Sequence, residues 1–116
     1  MDRANVFDIP LLGQRVVATV RWALQDKSTA PLPIGLFGAS TGAAAALAAA
    51  AELPEDIRAI VSRGGRPDLA GPVLDRVRAP TLLIVGGFDE VVIGLNQQAL
   101  QALSCEKKLV IVPGAS

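Results

Sequence analysis

From residue 28 to residue 51 this chain carries no charged side chain. A span of that length satisfies a window count for crossing a bilayer. Its first part, however, is interrupted by Pro31, Pro33, Gly35, Gly38 and Gly42, with Ser40 and Thr41 at its centre. Prolines and glycines at that density do not continue through one membrane helix. The span reads instead as a short apolar strand, Ile34 to Phe37, bounded by turn residues and buried on both faces. That strand turns sharply into an alanine-rich helix from Thr41 to about Ala51, alanine being the best helix former. Leu53-Pro54 ends that helix. No membrane association is expected.

The rest of the chain repeats the alternation. Asp8 followed by Pro10 has the form of a helix start, and Leu12, Val16, Val20 and Leu24 give a four-residue stripe, so Pro10 to about Gln25 reads as an amphipathic helix. Residues 27 to 33 are a loop. Ile57 to Ser62 reads as a second buried strand, Arg63 to Gly71 as a Gly/Pro-rich loop and Pro72 to Val77 as a short helix. Thr81 to Val85 is a third strand, Ile93 to Leu103 a helix and Lys108 to Val112 a fourth strand. Strands alternating with helices argue an α/β fold with a parallel sheet of about four strands. At 116 residues, one domain is the natural size.

Composition removes several functions. Eleven basic and eleven acidic side chains cancel, without a Lys/Arg run, and only 3% of residues are aromatic; nucleic acid is therefore not an expected partner. The single cysteine, Cys105, cannot form an internal disulfide, which suits a reducing, cytoplasmic setting. No cofactor and no metal are expected.

Between the first strand and its helix stands GASTG, residues 38 to 42, a Gly-x-Ser-x-Gly with Ser40 at its centre. In a nucleophile elbow the serine sits on a tight turn where small neighbours are needed, and the helix N-terminus faces the developing oxyanion. Gly38 and Gly42 are the small neighbours here. In a parallel α/β sheet the chemistry gathers at the carboxyl ends of the strands. Asp89 follows the third strand and Gly86-Gly87, hence emerges at the same edge as Ser40; its roles there are the acid of a triad, a cap for the next helix or a solvated loop residue, with Glu90 as a stand-in acid. Arg63 and Arg66, in SRGGRPDLAG, emerge at that edge after the second strand, either to bind an anionic group of a substrate or to form a surface ion pair with Asp68.

A base for Ser40 is missing from this set. The chain has no histidine, arginine does not deprotonate, and Lys27, Lys107 and Lys108 precede strands and so lie at the opposite edge. Cys105 shares that placement.

With Ser40 and Asp89 in these positions the chain resembles the α/β-hydrolase superfamily and, within it, the dienelactone-hydrolase-like proteins, some of which are fused to a phosphoribosyltransferase domain. The likeness is carried by RANVFDIPLL, IGLFGASTGAAAAL, SRGGRPDLAG, APTLLIVGGFDEVV and KKLVIVPGAS, which together cover nearly the whole chain. The resemblance implies Ser40 as nucleophile, the backbone N–H of Thr41 as one oxyanion donor and Asp89 as the triad acid. Dienelactone hydrolases use cysteine where this chain has serine, so the implied activity is hydrolysis of an ester or related acyl bond in a small molecule. The family places its histidine in the loop after the last strand and begins with further strands, one loop of which gives a second oxyanion donor. Residues 1–116 are accordingly expected to be a partial hydrolase domain, lacking those first strands and the histidine-bearing segment and inactive alone. Two other readings stay open. One is a non-catalytic domain binding a small anion at the Gly38–Gly42 turn. The other is a subunit completed by a partner chain, or self-associating, through the exposed edge of the first strand.

Overall fold

The computed structural model describes residues 8–115; the RANVF part of the first motif lies outside them. Helix α1 spans Ile9–Gln25. The Asp8 carboxylate accepts the Leu11 N–H at 3.1 Å, and proline occupies the first turn, where its missing N–H is no loss. The buried face of α1 is Ile9, Gly13, Val17 and Val20, so the expected stripe of Leu12, Val16 and Leu24 flanks the contact instead of forming its centre. The reason is the partner: α1 packs chiefly on the alanine helix, whose small side chains admit Gly13 and Val17 most closely.

Strand β1 is Ile34–Ala39 and helix α2 is Thr41–Glu52. Strand β2 is Ile57–Arg63, followed by a 3-10 segment, Pro67–Arg76, kinked at Gly71. Strand β3 is Thr81–Gly86, helix α3 Glu90–Ala102 and strand β4 Lys107–Val112. The 3-10 run replaces the expected loop and short helix, and α3 begins three residues earlier than the sequence suggests, so that Asp89 becomes its N-cap. The sheet is parallel throughout, in the order β1-β2-β3-β4. This is the α/β architecture with a four-stranded parallel sheet that the alternation of elements implies.

Sequential strand order has a physical consequence. Right-handed crossovers between neighbours taken in one direction put every connecting helix on the same side of the sheet. The covered side contains Gly38, Ile60, Ser62, Thr81, Leu83 and Val85, all buried. The other side carries Phe37, Val61, Leu82, Ile84, Val110 and Val112, which the register places together and of which none is buried. The expectation that β1 is buried on both faces is therefore wrong among the described residues, since Phe37 is 65% exposed, and β2 is buried on one side alone. The unbroken apolar run Ile34 to Phe37 does not tell a covered face from an uncovered one.

The core lies between the sheet and its helices, with Leu47, Ile60, Leu74, Leu83, Leu103 and Val77 almost fully enclosed. Ala43 to Ala46 and Leu47 are all buried, because α2 is flanked by α1, the 3-10 segment and the sheet. Among the described residues no helix is long and apolar enough to cross a membrane.

Candidate functional site

Ser40 stands alone between β1 and α2, with φ 54° and ψ −131°. Among the described residues it is the sole non-glycine with positive φ. A serine in that region is strained by roughly 1–3 kcal/mol and persists only where its surroundings over-determine it. They do so here. Its carbonyl accepts two N–H groups, from Ala43 at 3.2 Å and from Arg66 at 3.0 Å. Gly38 lies against the first turn of α2 so closely that a Cβ there would stand 2.5 Å from the Gly42 carbonyl oxygen. Gly42, by contrast, has open space where a side chain would go; the crowding expected on both sides of the serine exists on one. The Thr41 N–H is the first of α2, a position at which no intrahelical acceptor exists.

The carboxyl edge of the sheet forms an open cleft of about 430 Å³ around Ser40, with Arg63 and Gly64 from the end of β2, Ile84 and Gly86 from β3, and Val112 from β4. Ser40 and Arg63 are both exposed there. Arg63 makes no ion pair among the described residues, whereas Arg66 is engaged: its Nε and Nη2 donate to the Asp68 carboxylate at 3.1 and 3.0 Å. That hydrogen bonding pushes the Arg66 guanidinium above its already high ordinary range. The two arginines, alike in the sequence, thus differ in what they can offer a ligand.

Asp89 emerges at the same edge but does not line the cleft. It is exposed, its backbone carbonyl accepts Ile93 N–H at 2.9 Å, and its carboxylate makes no capping hydrogen bond to α3. The turn bearing it is tied to the chain beyond β4: Gly87 N–H donates to Val112 at 2.8 Å and Phe88 N–H to Ala115 at 2.9 Å. Lys107 and Lys108 open β4, at the far edge, and Lys107 Nζ donates to the Leu103 carbonyl. Cys105 lies at that edge too, 3.7 Å from Thr81 Oγ1. Lys27 lies between α1 and β1, ahead of that strand, and no lysine lines the cleft around Ser40 among the described residues. Nor does any group of three or more His, Cys, Asp or Glu side chains gather to hold a metal ion among those residues.

Three residues near Ser40 escaped sequence reasoning: Ser62, Gly65 and Asn96. Gly65 fills the gap between Ala43 and Ser62, and Asn96, fully buried in α3, donates to its carbonyl at 3.1 Å. An asparagine in the middle of the apolar run EVVIGLNQQALQA was the available signal, since buried amides require partners.

No family model matches the chain. A protein of Mycobacterium tuberculosis, found in two strains and provisionally named a phosphoribosyl transferase, is 56% identical over 115 residues, which are 99% of this chain and 26% of its own. Among solved structures, dienelactone hydrolase from Anabaena variabilis superposes with a TM-score of 0.93 at 56% identity, over 95% of this chain and 51% of that one. Acetyl xylan esterase 1 from Thermoanaerobacterium, at 17% identity and a TM-score of 0.72 over 87% of this chain and 45% of its own, shares the fold. The chain thus spans about a quarter of the curated relatives it matches and about half of the dienelactone hydrolase. The resemblance to dienelactone-hydrolase-like members of the α/β-hydrolase superfamily is borne out, together with the likeness to a protein carrying a phosphoribosyl transferase name.

Proposed function

We propose that this chain, α/β-hydrolase-like in fold, supplies the nucleophile and the triad acid of a serine hydrolase acting on esters or related acyl bonds of small molecules. The observation that carries the reading is the positive φ of Ser40 between a strand and a helix. A turn that served only to connect them would place glycine there and release the strain.

In this mechanism Ser40 Oγ attacks the acyl carbon, its proton passing to a histidine, while the Thr41 N–H faces the oxyanion. The histidine then protonates the leaving alcohol, and water, deprotonated by the same imidazole, releases the acid from the acyl-enzyme. Asp89 orients that imidazole. The histidine comes from outside these residues, which contain none. The hydrogen bonds that bring the end of β4 beside the Asp89 turn support a position just beyond β4 for it. The 116 residues alone are inactive in this reading. Arg63, which lines the cleft and makes no ion pair among the described residues, favours substrates bearing an anionic group near the scissile bond; Arg66 serves the loop through Asp68. The transferase name of the Mycobacterium relative is taken to refer to sequence outside the matched quarter.

A second reading is favoured by the open sheet face: a separate polypeptide, or another copy of this one, covers Phe37, Val61 and Ile84 and completes the site. An apolar surface of that kind seeks a partner.

The test is hydrolysis of p-nitrophenyl acetate by the chain alone and by a chimera in which residues 8–115 replace the matched half of the Anabaena dienelactone hydrolase, each beside Ser40→Ala. Ser40-dependent turnover in the chimera alone is expected. A folded chimera that is silent, or equally active without Ser40, overturns the nucleophile role. Turnover that appears on adding a second polypeptide to the chain supports the second reading.

A further inference from the structure

We propose that Asn96 is a positioning residue for the Ser40 turn, acting through the peptide unit between Gly65 and Arg66. Asparagine is a poor interior helix residue, and burying its amide is unfavourable unless both polar ends are used. Asn96 is nevertheless fully enclosed in α3, two turns beyond Asp89. Its Nδ2 donates to Val92 O within its own helix at 2.8 Å and to Gly65 O across the interior at 3.1 Å. Two carbonyl acceptors on one atom orient the amide with its nitrogen toward the loop after β2.

Gly65 C=O and Arg66 N–H are the two ends of one planar peptide. Asn96 holds the first end. The second donates to the Ser40 carbonyl at 3.0 Å. The peptide is therefore a strut from α3 to the strained serine, and hydrogen bonds in series polarise one another. Its seat permits no side chain: a Cβ on Gly65 would lie 2.5 Å from both Ala43 Cβ and Ser62 Oγ, and 3.3 Å from Ser40 O. Asn96 Oδ1 and Ser62 Oγ are buried without a protein partner among the described residues, so the arrangement is not the most stable filling of this space. An apolar residue at position 96 would fill it without leaving Oδ1 unsatisfied. Because Asp89 heads the same helix, α3 links the turn bearing the nucleophile to the turn bearing the acid.

This inference rests on the nucleophile reading of Ser40, and its test reads the backbone instead of ester turnover. Site-resolved amide hydrogen exchange is followed in the full 116-residue chain and in the chimera, for wild type, Asn96→Leu and Leu103→Ala. Leu103→Ala opens the core at the end of α3 without touching Gly65. In Asn96→Leu the Arg66 and Ala43 amides are expected to exchange about tenfold faster relative to the Leu47 and Leu83 amides. In Leu103→Ala that ratio stays at its wild-type value. Should Asn96→Leu fail to fold, Asn96→Ser, which loses the reach to Gly65, is read in the same way. An unchanged ratio in the folded variant overturns the proposal, whether all amides accelerate together or none does. In the chimera, kcat is expected to fall about tenfold with KM unchanged; a rise in KM alone also overturns it. A chimera that exchanges as expected but hydrolyses nothing condemns the role of Ser40 and leaves the strut standing.

Discussion

Gly38 sits against Ala43, where a Cβ would stand 2.6 Å from the Ala43 Cα and from its amide nitrogen. Both contacts are to backbone, which cannot swing aside as a side chain can. Gly38→Ala is expected to destabilise the chain by about 3 kcal/mol, at the upper end of what overpacking brings. Gly42→Ala, with nothing near the added methyl, should be neutral or stabilising by up to about 1 kcal/mol. Urea unfolding of the two variants checks the contrast, and equal effects would show that the elbow is not packed as described.

Ser40 holds a backbone conformation that glycine adopts freely. Ser40→Gly is therefore expected to raise stability over Ser40→Ala by about 1 kcal/mol while both lose the hydroxyl. The denaturation midpoints decide it. A more stable alanine variant would mean that no strain is stored at the turn.

Asp89 caps α3 with its backbone and not with its carboxylate. Asp89→Asn should leave stability within about 0.5 kcal/mol of wild type. In a form that turns over ester it should lower kcat by roughly 10⁴, the scale seen when a triad acid is neutralised. A large loss of stability with activity kept would return Asp89 to a structural role.

Arg63 and Arg66 should separate in a kinetic comparison. Arg63→Gln in an active chimera is expected to raise KM about tenfold for an ester bearing a carboxylate and to leave a neutral ester unaffected. Arg66→Gln, whose side chain already serves Asp68, should change both esters alike. The opposite pattern would place the anion site at Arg66.

Asp26, at the end of α1, accepts the Ser28 backbone N–H at 2.9 Å and the Ser28 hydroxyl at 2.8 Å, and these bonds hold its carboxyl below the usual range. A lowered folded value means stability present above the ordinary carboxylate range and lost as pH falls through the lowered one. Asp26→Asn should flatten part of the decline in melting temperature below about pH 4. The carboxylate's hydrogen bonds to Ser28 lie at the surface, where solvent screens them, so the change is small, and an unaltered acid slope would remove it from the balance.

How far the residues alone carry depends on the range of the forces involved. The glycines flanking Ser40, the alanine run and the proline stops act within a few positions of themselves, and the element order read from them is the order observed. The resemblance that places Ser40, Thr41 and Asp89 also rests on short contiguous motifs. Asn96 was visible as an amide within a partly apolar helix, but its role was not legible, because its partner is a carbonyl thirty-one residues earlier in the chain.

The sequence by itself determined that strands and helices alternate, that Ser40 stands at the hinge between a strand and a helix, and that no histidine among these residues can activate it. Tertiary structure decided the rest. Strand order put all the crossovers on one side and left Phe37, Val61 and Ile84 uncovered, which a run of apolar residues cannot express because it reads the same on either face. Packing made Gly38 obligatory and Gly42 dispensable, and pairing with Asp68 withdrew Arg66 while leaving Arg63 at the cleft. These distinctions arise between residues far apart in the chain, where only distance in space determines which groups meet.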